Sequence, residues 1–185
     1  GLAAPLHDRL RWESFLLWAN LVLAAALVSY TGVLLGQTSR PLWSGTWFIP
    51  ALFAVSALST GVAALALLAR WRGRAAVPEV VARLERADGA LLLMELAVLA
   101  IFLAWLSWLS TPPAARSASV LLSGSFAWWF WGGVVVVGLL APLVLAKARR
   151  ALGSLAAWAG PALVLAGGLA LRYVIVAAGQ VGPLA

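Results

Sequence analysis

The stretch Ala90–Ser110, ALLLMELAVLAIFLAWLSWLS, decides the fold. It is apolar without alternation and carries one charge, Glu95. Wound as a helix at ~1.5 Å per residue, it reaches across a hydrocarbon layer ~30 Å thick. Lipid offers no partner to backbone amides, so only helices and closed barrels cross it. A continuous apolar run, rather than an alternating one, points to the helix. Four further runs have the same character: Phe15–Gln37, Trp47–Ala69, Phe126–Ala146 and Leu155–Ala178. The expected fold is all-α, a polytopic bundle with five transmembrane spans.

Composition agrees. Of 185 residues, 64% are hydrophobic and 10% charged, whereas a soluble domain keeps roughly 25% charged. The absence of cysteine excludes disulfides, thiolate metal sites and cysteine-ligated iron–sulfur clusters within this sequence. The single histidine, His7, lies in the polar N-terminal segment, so a buried haem or metal centre on paired histidines is excluded too. The net charge of +7 sits between apolar runs, where headgroups are met. It indicates membrane lipids as partners and not nucleic acid.

The basic residues orient the bundle. Arg9 and Arg11 precede the first span, and Arg40 alone follows it. Arg70, Arg72, Arg74, Arg83 and Arg86 fill the second connection, Arg116 the third, and Lys147, Arg149 and Arg150 the fourth. Rich and poor connections alternate, as the positive-inside bias requires. The N-terminus is therefore expected in the cytoplasm and the C-terminus outside, with Tyr30 in the outer third of the first span. Trp43, Trp47, Trp105, Trp108, Trp128, Trp129 and Trp131 then fall near the outer interface, where amphipathic rings collect. The connection Arg70–Gly89 is expected to be a solvated turn, with a helical extension over Pro78–Arg86 as the alternative. Pro142 and Gly160-Pro161 are expected to bend or end helices. No internal repeat is evident. The sequence begins Gly-Leu-Ala-Ala and reads as a fragment or a processed product.

Charge at membrane depth costs at least ~2.5–3.5 kcal/mol, so each instance needs a reason. Glu95 stands about a turn and a half inside the third span, and Asp88 precedes it on the same helical face. They fit a proton relay from the cytoplasmic surface; they equally fit a helix-start charge and a structural pair. Arg172, near the outer end of the last span, snorkels outward, pairs with Glu95 or polarises a bound carbonyl. Ser56, Ser59 and Thr60 share a face of the second span and read as helix packing. Asn20 reads as inter-helix glue or part of a polar path. On periodicity alone, Tyr30 is an interfacial belt residue.

Several motifs carry a resemblance. SYTGVLLGQTSRPLW (Ser29–Trp43), FIPALFAVSALSTGVAAL (Phe48–Leu65), ADGALLLMELAVL (Ala87–Leu99) and GGLALRYVIVAAGQ (Gly167–Gln180) occur in order along the sequence. Together they resemble the NrfD/polysulfide reductase membrane-subunit family. The resemblance implies a membrane anchor of a respiratory oxidoreductase in a bacterial or archaeal cytoplasmic membrane. Such subunits exchange electrons between menaquinone or ubiquinone and an external iron–sulfur subunit, which connects to a molybdopterin catalytic subunit. They hold no haem or iron–sulfur cluster themselves, and either oxidise quinol, reduce quinone or serve without catalysis.

By that resemblance Tyr30 belongs to the quinone site, where a phenol can hydrogen-bond a quinone oxygen. Arg40 and Trp43 would form the rim that docks the iron–sulfur partner. Asp88, Glu95 and Arg172 would line a proton path. The family also carries helices before the tyrosine helix, with a histidine and an asparagine at the quinone. Neither His7 nor Asn20 stands in that context, so the sequence matches the C-terminal portion. On the residues alone, an ion or solute transporter segment or a purely structural anchor accommodates the same polar set.

Overall fold

A computed structural model of the protein describes residues 3–36, 47–71, 78–108 and 119–181. All secondary structure among them is helical. The long helices are α1 (Ala3–Gly36), α2 (Phe48–Trp71), α3 (Pro78–Trp108), α4 (Trp129–Lys147) and α5 (Ser154–Val181). A single helical turn, Arg149–Leu152, joins α4 to α5. Among the described residues, five helices have the length and hydropathy to cross a membrane, in the places the apolar runs foretold.

One expected turn is a helix, two prolines do not end their helices, and one winding is unforeseen. Pro78–Arg86 is not a solvated turn but the first part of α3. Pro78 opens the helix with φ already set, and Glu79 complements the dipole of the first turn. An exposed Glu79–Arg83 pair at 2.8 Å adds i,i+4 support. The helices do not end at Pro142 or Pro161 but continue through both. Pro142 stands where one helical winding of α4 gives way to another, in the first turn of the α-helical segment. Finally, α4 is wound as a π-helix over Trp129–Leu140, and the Ala141 N–H reaches back to the Val136 carbonyl. This segment suits an α-helix poorly: Gly132, Gly133 and Gly138 surround four consecutive valines, Val134–Val137.

Cross-helix contacts fix the relative directions. Phe48 at the start of α2 lies 6.1 Å from Trp105 near the end of α3, ring centre to ring centre. Arg70 at the end of α2 bonds Glu85 near the start of α3. Trp129 at the start of α4 meets Tyr173 on the last third of α5 at 6.5 Å. Gly32 near the end of α1 abuts Pro50 at the start of α2. Successive helices therefore run antiparallel, which gathers Trp47, Trp105, Trp108, Trp128, Trp129 and Trp131 at one end. The opposite end, holding Arg70, Glu85 and Arg149, is ionic.

The core sits where α2 and α5 meet their neighbours. Phe102, Phe130, Leu52, Leu171 and Val174 are fully enclosed there. Lipid tails are as apolar as these side chains, so packing rather than water exclusion holds the helices together. α4 and α5 cross closest at Gly138 and Gly167. A Cβ on Gly138 would lie 2.6 Å from the Gly167 Cα, too close for any side-chain atom. Gly167→Leu is expected to cost about 1–3 kcal/mol by overpacking. The check is the thermal unfolding midpoint of the protein in detergent, which should fall; an unchanged midpoint would contradict this crossing.

Candidate functional site

Polar chemistry within the apolar helices gathers at three levels. The first is Tyr30, toward the aromatic end of α1. Gly32 presses on Pro50, where an added Cβ would come within 2.9 Å of the Pro50 Cα. A helix turns about 100° per residue, so Tyr30, two positions earlier, points away from α2. Its side chain is 62% exposed. α1 packs on α2 and on no other element among the described residues. Tyr30 thus stands on an open helix face, available to a hydrophobic ligand or to further helices. The rim residues Arg40 and Trp43 lie outside the described residues.

The second level is a buried polar cluster in mid-bundle. Glu95, from α3, is only 5% exposed. Its carboxyl faces the Ser56 hydroxyl from α2 and feels the Arg172 guanidinium from α5. The Ser56 contact falls short of full hydrogen-bond geometry, and Ser56 Oγ and Ser59 Oγ have no partner meeting it among the described residues. Arg172 does not snorkel outward. Its Nη1 donates to the Gly168 carbonyl one turn back, at 2.9 Å, which turns the guanidinium toward mid-helix. Thr60 Oγ1 donates to the Ser56 carbonyl at 2.8 Å.

Gly168 makes this cluster sterically feasible. A Cβ there would collide with Thr60 Cγ2, lie 3.1 Å from Arg172 Nη1 and lie 3.5 Å from Ser56 Oγ. The α3 extension also moves Glu95 from near a helix start to mid-helix, where an ionised group is most costly.

The third level closes the ionic end. Glu85 accepts from Arg70 Nη2 at 2.6 Å and receives both Nη atoms of Arg149. One carboxylate therefore joins α2, α3 and the turn after α4. Asp88 lies about three turns into α3 and caps nothing. Its Oδ1 is buried without a partner among the described residues, as is Arg70 Nη1. Leaving such atoms unsatisfied costs about 1–3 kcal/mol each. Asp88 and Glu95 share a face but stand about two turns, ~10 Å, apart along the axis.

The structure thus sets Arg172 within electrostatic reach of Glu95, sets Asp88 nearer the ionic end, and leaves Tyr30 apart from all of them. Among the described residues Asn20 does not bridge helices; its Nδ2 donates to the Leu16 carbonyl of its own helix at 2.8 Å. Among the described residues, no group of three or more acidic or histidine side chains could hold a metal. Sequence reading misses the Glu85 junction, because its arginines serve there only to orient the connections. It also misses Gly168, whose only signal is the Gly-Gly pair in an otherwise bulky helix.

If Glu95 and Arg172 compensate each other, removing one should hurt more than removing both. A cycle of Arg172→Leu, Glu95→Leu and the double variant is expected to give a coupling of about 0.5–3 kcal/mol. The readout is unfolding free energy in detergent; additive single effects would show that the two charges do not interact.

The arrangement has relatives. The family model described as polysulphide reductase, NrfD, matches residues 7–183. Protein NrfD of Escherichia coli (strain K12) is 32% identical over 183 residues, covering 97% of the present sequence and 55% of that protein. The C subunit of polysulfide reductase from Wolinella succinogenes is 33% identical over 168 residues, covering 87% of the present sequence and 52% of that protein. The chain thus spans about half the length of these curated relatives. No solved structure matches significantly. By the match across nearly its whole length, the chain belongs to the NrfD/polysulphide reductase family of membrane proteins.

Proposed function

We propose that this protein is the quinone-interacting part of a membrane subunit in a respiratory oxidoreductase. In this reading, menaquinone or ubiquinone binds against Tyr30 at the aromatic end of α1. Electrons pass between it and an iron–sulfur subunit docked outside, on a rim that includes Arg40 and Trp43. That subunit exchanges them with a molybdopterin catalytic subunit. The five helices correspond to the C-terminal portion of the family architecture, and helices outside them complete the pocket. The membrane is the bacterial or archaeal cytoplasmic one, with the ionic end of the bundle in the cytoplasm.

The observation that carries this reading is the placement of Tyr30. Gly32 turns the phenol away from α2, onto a helix face with no neighbour among the described residues. A phenol there can donate to a quinone carbonyl or accept from a quinol hydroxyl, while its ring lies against the prenyl tail. The alternation of basic residues supports the outward orientation of that end. The name of the Wolinella relative, a subunit of polysulfide reductase, supports a redox assembly.

The buried cluster supplies a second part of the proposal. Asp88, Glu95 and Arg172 form a polar line through the bundle, with Ser56 and Ser59 beside it. A carboxyl can hold and release a proton, a hydroxyl can relay one, and the guanidinium keeps a fixed positive charge. The line can therefore carry protons across the apolar layer during quinone turnover.

Tyr30→Phe deletes the hydroxyl and keeps the ring. Losing one hydrogen bond of about 1 kcal/mol should lower kcat/KM for quinol or quinone roughly fivefold in the assembled complex. Unchanged kinetics would overturn the quinone assignment. Glu95→Gln is expected to abolish proton translocation in vesicles while electron transfer to the partner continues. Full translocation in that variant would remove the route.

A further inference from the structure

The junction at the ionic end does more than join helices. Behind it lies a cavity with about 40 Å³ open to the centres of water molecules. Arg70, Glu85, Asp88, Pro142, Arg149 and Gly160 are among the residues that line it. A site needs about 10–15 Å³ of such space to hold one water, and two or more polar partners. Both conditions are met: Asp88 Oδ1 and Arg70 Nη1 are buried and otherwise unpartnered among the described residues. One offers only an acceptor and the other only a donor, and water satisfies both at once.

The cover of this cavity is ionic. The Arg70 side chain is 9% exposed, while Glu85 and Arg149 are 27% and 30% exposed. The carboxylate and the outer arginine therefore sit at the boundary with the aqueous phase, and the inner arginine faces the cavity. Removing the Glu85 charge would release both guanidinium groups at once. A plain staple between helices would require neither a polar cavity behind it nor two unpartnered polar atoms within it.

We propose that this cavity is a water-filled vestibule serving Asp88, and that the Arg70–Glu85–Arg149 junction is its latch. With the latch closed, the vestibule holds ordered water between Asp88 and Arg70. When the Arg149 arm lets go, that water joins the aqueous phase and Asp88 can exchange protons with it. The use of this exchange as the inner supply of a transmembrane path rests on the proton route proposed above; the vestibule and its latch do not. Facing Asp88 are Arg70 from α2, Glu85 from its own helix and Arg149 from the turn after α4.

The sequence has no cysteine, and one placed at Ala157, which also lines the cavity, introduces a thiol at this site. The experiment uses the assembled complex in membrane vesicles. A157C is challenged with a small hydrophilic methanethiosulfonate, and labelling is read as the mass shift of the peptide that carries position 157. A157C should label slowly, and adding E85Q should raise the rate about fivefold, the effect of losing a partly exposed ion pair. Arg149→Gln opens the outer arm but keeps the Arg70–Glu85 pair between α2 and α3. It should raise the rate in the same direction and serves if E85Q fails to assemble. Equal rates with and without the latch would overturn the proposal. So would faster labelling by an apolar maleimide than by the hydrophilic reagent, which would mark a dry cavity. The readout is water access and not turnover. Accelerated labelling with unaltered proton translocation would uphold the vestibule while counting against the proton route.

Discussion

The structure depends on one constraint: an ionisable group inside hydrocarbon must meet polar or charged neighbours. Glu95 is enclosed in mid-bundle, and the helices converge so that Ser56 and the Arg172 guanidinium lie on its side. Glu85 obeys the same rule at the ionic end, where it joins three elements through two arginines. Buried ion pairs are weak sources of net stability but costly to break singly. At the Glu85 junction their value is to fix which faces of α2 and α3 meet and where the turn after α4 docks. The apolar side chains alone would do this poorly, since lipid competes for them on equal terms.

Small residues make the convergence sterically feasible. Gly138 and Gly167 bring α4 and α5 into backbone contact. Gly168, next to that crossing, leaves the space that Thr60 and Arg172 fill. Gly32 lets α1 rest on Pro50 and thereby decides where Tyr30 points. The same physics thus produces two kinds of polar site. One is sealed between helices and suited to protons; the other is open on a helix flank and suited to a lipid-soluble ligand.

Much of this is legible in the residues. The five spans follow from run length and hydropathy, because the bilayer demands both. The alternation of helix direction follows from arginine placement, and the antiparallel contacts of α1 to α5 agree with it. Proximity of Glu95 and Arg172 is one of three readings of the residues; setting snorkelling aside requires knowing that the Arg172 side chain turns back to Gly168. The α3 extension escapes notice because a charged segment resembles a solvated turn when only its composition is weighed. Pro78 and Glu79 are the local signals against that view. The Glu85 junction is beyond sequence reading: Arg149 stands far from Glu85 in sequence, and only the bundle's topology brings them together. The π-helical winding of α4 leaves only an indirect trace, its glycines and valines.

In the proposed function, the open flank of α1 at the aromatic end receives the quinone. The structure of the assembled complex with a quinone analogue bound tests this. The analogue's headgroup is expected within hydrogen-bond distance of the Tyr30 hydroxyl, on the face of α1 opposite Gly32 and Pro50. A headgroup bound elsewhere, with Tyr30 packed against lipid alone, would contradict it.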